Sequence, residues 1–291
     1  MGDRGAHANG QFMLPPHSFR SLMFSCVLTC GIAACASDVD STSSADSEST
    51  ADLNAEALRP AATRAVNDVV LVHGAWADGS CWSGVIRVLQ DRGFNVLAVQ
   101  LREQSVADDA AVVRHAVDSI PRPVVLVGHS YGGFVISEAS TGASNVSALV
   151  YVAAFAPDAG ESVGGVSAPY PTTPAIMNLV VDDQGNATIE PSAFVRYFAS
   201  DLPERDARVL AAVQHPTAVS ILMTPAGEPG WKTIPSYYQI SLDDEVIDPA
   251  LERMFAERMG AETIELEASH VSMISQPRAI ARLIGRAANA R

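Results

Sequence analysis

The chain has 291 residues, 48% of them hydrophobic and 18% charged, which suits one globular α/β domain with an ample core. A formal net charge of -14 argues against nucleic acid and against electrostatic binding to anionic lipid, and favours neutral, apolar small molecules as ligands. Of the four cysteines, Cys26, Cys30 and Cys35 lie near the N-terminus, so Cys81 alone excludes an internal disulfide framework or a cysteine zinc site in the remainder.

Residues 1–20 are polar, with Met13 a candidate initiator. Arg20 precedes an apolar run from Ser21 to Cys35 that is too short to span a bilayer but fits a signal-peptide core. Its end, Ile32-Ala33-Ala34-Cys35, reads as a bacterial lipobox that would make Cys35 the lipidated first residue of the mature chain. The alternative is cleavage at Ala34-Cys35-Ala36, giving a soluble exported protein. Either way the expected location is the bacterial cell envelope or beyond, with the membrane contacted only through a lipid anchor. Residues 36–65 are rich in Ser, Thr, Ala and acidic side chains, which bury too little surface to offset ordering, and read as a disordered tether.

The domain is expected over residues 66–291. Val69-Val70-Leu71-Val72 reads as a buried strand, and a helix through Val85, Ile86, Val88 and Leu89 stops at Gly93. Phe94 to Leu101 is the next strand. Ser105 with Asp108 starts a helix whose inner face carries Val106, Ala110, Val113 and Val117. Val124-Val125-Leu126-Val127 then runs into Gly128-His129-Ser130-Tyr131-Gly132, where small residues turn a strand sharply into a helix. That is the context in which G-x-S-x-G exposes a nucleophile at the top of a sheet. Ala148 to Phe155 is another apolar strand. Near-continuous apolar strands alternating with amphipathic helices predict a parallel sheet covered on both faces.

Residues 156–232 break this rhythm with many Pro and Gly residues and two helical patches, at Ser192–Ser200 and Glu204–Gln214. An insertion at this point reads as a cap over the site. The core resumes with Ser236 to Leu242, a helix at Pro249–Met259 closed by Gly260, a last strand Thr263 to Leu266, a loop carrying His270, and a helix from Pro277 to about Ala287.

Ser130, an acid after the next-to-last strand and His270 after the last one follow the Ser…Asp…His order of α/β-hydrolases. His270 is the expected general base, while His73, His115, His129 and His215 read as structural or ordinary. Asp243 and Asp244 are adjacent, so only one can hold the imidazole, and Asp158 is an outlying third candidate. The oxyanion hole needs two backbone N–H groups, expected at Tyr131 and, in the loop after the first strand, Ala75. Trp76 and Trp231 are the aromatic residues assigned to the substrate, with Phe194 and Phe198 adding apolar surface in the cap. No metal-ligand spacing, phosphate loop or dinucleotide fingerprint competes, so no cofactor or metal is expected.

With these residues placed, residues 66–291 resemble a small-esterase branch of the α/β-hydrolase superfamily. It includes pyrethroid-hydrolysing carboxylesterases, plant methyl-salicylate esterases and hydroxynitrile lyases. The resemblance is carried by Val70-Leu71-Val72-His73-Gly74-Ala75-Trp76, Cys81-Trp82, Val125 to Gly133, Ala153-Ala154-Phe155-Ala156-Pro157-Asp158, Trp231-Lys232-Thr233, Ser269-His270 and Ser275-Gln276-Pro277. It implies a six-stranded, mostly parallel sheet with a small inserted cap. It also implies that the acid is the Asp of a D-x-x-x-x-P turn, here Asp244 with Pro249, although Asp248 departs from the Pro common there. The lyases carry a Thr and a Lys where this chain has Gly74 and Val271, so the resemblance implies a serine carboxylesterase. A lyase, a cofactor-free oxygenase or perhydrolase on the same scaffold, and a non-catalytic binder of hydrophobic ligands are the alternatives.

Overall fold

The structure is a computed structural model that describes residues 66–290. The signal-peptide, lipobox and tether readings, Cys35 included, fall outside the described residues. Six strands form one parallel sheet in the order β2-β1-β3-β4-β8-β9. They are β1 (Asp68–Val72), β2 (Asn95–Val99), β3 (Val124–Ser130), β4 (Val146–Ala154), β8 (Ser236–Ser241) and β9 (Glu262–Leu266). The central strands β1, β3 and β8 are buried at every position, whereas the edge strands β2 and β9 alternate or face solvent. That contrast is what a sheet covered on both faces requires of its sequences.

The helices follow from the strand order. The chain moves one way across the sheet from β1 to β2 through α1 (Ser83–Gln90). It then turns back through α2 (Val106–Asp118), α3 (Tyr131–Ser140) and, after β8, α7 (Pro249–Met259). Right-handed crossovers therefore put α1 on one face and α2, α3 and α7 on the other. The terminal helix α8 (Pro277–Asn289) joins α1, with Ile280, Leu283 and Ile284 buried against β3, β4 and β8. The direction of winding reverses between β1 and β3, so the loops leaving these strands diverge and open a crevice at their carboxyl ends. Both loops that matter for chemistry, His73–Trp76 and Gly128–Gly132, leave the sheet there.

Between β4 and β8 lies a three-stranded antiparallel sheet of β5 (Leu179–Val181), β6 (Asn186–Ile189) and β7 (Thr217–Ala218). The short helices α4 (Val163–Ser167) and α5 (Pro174–Met177) precede it, and α6 (Glu204–Ala212) lies between β6 and β7. The first expected helical patch is a short α-turn, Pro191–Ala193, that widens into a π-helical turn at Phe194–Phe198. Among the described residues no helix is long and apolar enough to cross a membrane.

Candidate active site

Ser130 ends β3 and caps α3 with φ 52° and ψ -123°, a conformation costly for any residue with a side chain. The turn is this tight because the loops press on it. A Cβ on Gly132 would lie 2.5 Å from the His73 carbonyl oxygen, and one on Gly74 would lie 2.6 Å from Ser130 Cβ. Here the need for glycine is a need for space. The φ values above zero at non-glycine residues are found at Trp76, Glu103, Ser130 and Ala153 among the described residues. Trp76 and Ser130 line the cavity described below, Ala153 precedes the residue paired with Ser130, and Glu103 contacts Trp76. Strain is concentrated at one place.

His270 is fully buried on the loop after β9, and its Nδ1 lies 2.6 Å from Asp244 Oδ2. The other Asp244 oxygen accepts from the N–H groups of Val246 at 2.7 Å and Ile247 at 2.9 Å, so the turn after β8 fixes the carboxylate before the imidazole reaches it. Asp243 faces solvent. Asp158 is half-exposed and paired with Lys232 Nζ at 2.5 Å, a contact that holds its carboxyl below the usual range. The structure thus brings Asp244 to His270 and neither alternative. Asp248, which departs from the Pro common in the resembled branch, is the N-cap of α7, with Oδ1 accepting from Ala250 N–H at 2.8 Å and Pro249 at the first helical position.

His270 Nε2 is buried with no hydrogen-bond partner. The loop is clamped from several sides. His129 Nε2 donates to the His270 carbonyl at 2.9 Å, the Phe198 ring meets the imidazole edge-on at 4.9 Å, and Ser269 Oγ donates to Asp201 Oδ1 at 2.5 Å. Burial, with the neighbouring His270 adding to it, pushes His129 well below the usual histidine range, so His129 is neutral with its proton on Nε2.

A cavity of about 260 Å³ opens beside Ser130. Ala75, Trp76 and Tyr131 line its floor, Phe155, Ile247 and Leu251 its core side, and Val163, Tyr170, Ile176 and Leu222 its roof. The Trp76 N–H is already engaged by Glu103 Oε2 and Thr217 Oγ1, each at 3.3 Å, which removes it as a donor to the cavity. Trp231 is not brought to this cavity. Its indole lies under the Arg258 guanidinium and donates to the Pro157 carbonyl at 3.4 Å, packing the end of the inserted segment on α7. Trp76 instead crosses to that segment, its Nε1 donating to the Ala187 carbonyl on β6 at 2.9 Å. Sequence reasoning missed Glu103, a fully buried carboxylate on the short connection between β2 and α2. No motif or spacing marks it.

Similarity to known proteins extends over most of the chain. The chain is 28% identical over 256 residues to a pyrethroid hydrolase of Sphingobium wenxiniae, spanning 77% of this chain and 89% of that one. It is 26% identical over 234 residues to methylesterase 8 of Arabidopsis thaliana, spanning 72% and 84%. The solved structure of a pyrethroid hydrolase from Sphingobium faniae shares the fold, with a TM-score of 0.68 at 24% identity, covering 77% of this chain and 98% of that one. The family model described as the alpha/beta hydrolase family matches residues 69–283, and with a six-stranded parallel sheet of that topology the chain belongs to the alpha/beta hydrolase family.

Proposed function

We propose that this hydrolase is a serine carboxylesterase acting on small to medium apolar esters, with Ser130, His270 and Asp244 as its triad. The observation that carries the reading is the buried His270–Asp244 pair at 2.6 Å, which leaves Nε2 as the one ring nitrogen free to take a proton. In the reaction Ser130 Oγ attacks the ester carbonyl carbon and its proton passes to His270 Nε2. Asp244 keeps the other ring proton on Nδ1 and stabilises the imidazolium. The tetrahedral oxyanion accepts hydrogen bonds from the Ala75 and Tyr131 N–H groups, and collapse expels the alcohol, which takes the proton back from His270. Water then repeats the sequence on the acyl-enzyme and releases the acid.

The inserted segment serves as the cap that selects substrate, and the apolar roof supports uncharged acyl or alcohol groups over anionic ones. Names of the relatives, a pyrethroid hydrolase and a methylesterase, support the same bond class. Beside His270 stands Val271, buried and uncharged, where a cyanide-releasing lyase would need a cation.

Hydrolysis of p-nitrophenyl acetate through octanoate tests the reading. Ser130→Ala and His270→Ala are expected to abolish turnover, and Asp244→Asn to lower kcat on the order of 10³- to 10⁴-fold, with Asp243→Asn near wild type. An unmutated protein without turnover sinks it. Export and lipidation at Cys35 belong to the same proposal. Partition of the full chain into detergent from a bacterial host, lost in Cys35→Ser, is the expected result.

A further inference from the structure

Glu103 follows β2 with φ 55° and no exposure, a combination seldom held without several partners. Its carboxyl group reaches two separate segments of chain. Oε2 accepts from the Trp76 N–H at 3.3 Å and from the Thr217 hydroxyl, and lies 3.6 Å from His215 Nδ1. Oε1 lies 3.4 Å from His73 Nδ1 without a hydrogen bond; since His73 Nε2 accepts from Leu101 N–H at 2.9 Å, the ring proton is on Nδ1 and is donated to the Gly74 carbonyl at 3.0 Å. The Glu103 backbone is held as well. Its carbonyl accepts from Ala218 N–H at 2.9 Å, and its N–H donates to Asp109 Oδ1 at 3.3 Å. Asp109 Oδ2 in turn accepts from the Tyr131 hydroxyl at 2.9 Å.

These contacts converge on the two residues whose N–H groups would hold the oxyanion. The peptide between Ala75 and Trp76 is turned with its N–H toward Glu103, which fixes the backbone of Ala75 from one side. Tyr131 is reached from the other through Asp109. We propose that Glu103 is a positioning residue for the oxyanion hole. It holds the His73–Trp76 loop in its strained conformation and, through Thr217 and Ala218 on β7, ties that conformation to the seating of the inserted segment. This rests on the esterase reading above.

The test reads oxyanion stabilisation directly. A trifluoromethyl ketone adds to the serine and places an oxyanion in the hole, whereas the matching methyl ketone remains uncharged and reports binding alone. In folded Glu103→Ala, kcat for p-nitrophenyl butyrate is expected to fall about 10²-fold and the trifluoromethyl ketone Ki to rise by a similar factor, with KM and the methyl ketone Ki within about 3-fold. Glu103→Gln, whose amide oxygen still accepts from Trp76 N–H while its NH2 meets the His73 Nδ1–H, is expected to recover part of the loss. Thr217→Val is expected to shift kcat and the fluorinated Ki together by a smaller factor, and it decides the matter if Glu103→Ala does not fold. Unchanged fluorinated Ki in a folded variant overturns the inference, as does a parallel rise in both ketone constants. Wild-type turnover that Ser130→Ala abolishes and Glu103→Ala leaves intact would overturn this inference alone. A wild-type protein without turnover overturns the esterase reading and this inference with it.

Discussion

At the scale of single residues, the site is framed by buried polar groups whose protonation is set by burial. Glu252, on α7, accepts from Ser241 N–H at 3.0 Å with no exposure to solvent. Burial, reinforced by the negative charge of Asp244, holds its carboxyl well above the usual range, so the folded protein keeps a proton there. The unfolded chain releases that proton above about pH 4.5, so the folded state binds more protons than the unfolded one over the interval up to its own pKa. Stability from this group is therefore fully present below pH 4.5 and is lost as pH rises through the folded value. Glu252→Gln keeps the acceptor for Ser241 and has nothing to ionise. Its expected effect is a higher Tm than wild type at pH 8 and no such gain at pH 4, read from thermal melts across that range. An equal difference at both values would exclude the linkage. Residues of this kind resist reading from sequence. Ser130 and His270 are marked by the strands that precede them, and Asp244 by its place between β8 and Pro249. Choosing Asp244 over Asp243 physically takes the Val246 and Ile247 amides, which only the folded turn supplies. Glu103 binds groups 27 and 114 residues away, and no local pattern encodes such partners.

At the scale of elements, the strands that lead into the His73–Trp76 loop and Ser130 were legible because β1 and β3 carry short apolar runs that end in turn residues. The parallel order then follows from the absence of hairpins between them. Edge strands were read less well. Phe94 to Leu101 shortens to Asn95–Val99, since Phe94 is still occupied closing α1, its N–H donating to Leu89 at 3.1 Å. The antiparallel sheet in the insertion escaped, although it carried a signal. Leu179-Val180-Val181 and Asn186 to Ile189 flank Asp182-Asp183-Gln184-Gly185, with Gly185 at φ 81° and Asp182 Oδ1 accepting from Gln184 and Asn186 N–H. The third strand could not have been found, being two residues that lie 28 or more positions along the chain. It matters most for function, since Thr217 on that strand meets Trp76 and Glu103. The expectation for Thr217→Val therefore tests an element-scale idea, that a two-residue strand in the insertion sets the geometry of a loop on the main sheet.

At the scale of the whole molecule, the formal charge of -14 predicts a negative field around a cavity whose lining carries a single charged residue, Asp248. Such a field repels anionic substrates during encounter and leaves neutral ones untouched. Salt sets its reach, with a Debye length of about 30 Å at 0.01 M and about 10 Å at 0.1 M. Two esters of similar shape separate this effect from the chemistry. For neutral p-nitrophenyl butyrate, kcat/KM is expected to stay flat between 10 and 300 mM sodium chloride, over which the Debye length falls from about 30 Å to about 6 Å. For the monoanionic p-nitrophenyl succinate, it is expected to start lower and to rise about 3- to 10-fold over the same interval, with the gain in KM and none in kcat, because screening acts on approach and not on the acyl transfer. An anionic ester whose kcat/KM ignores salt would show that the acidic surface is arranged away from the cavity mouth. The preference for uncharged substrates would then come from the apolar lining alone.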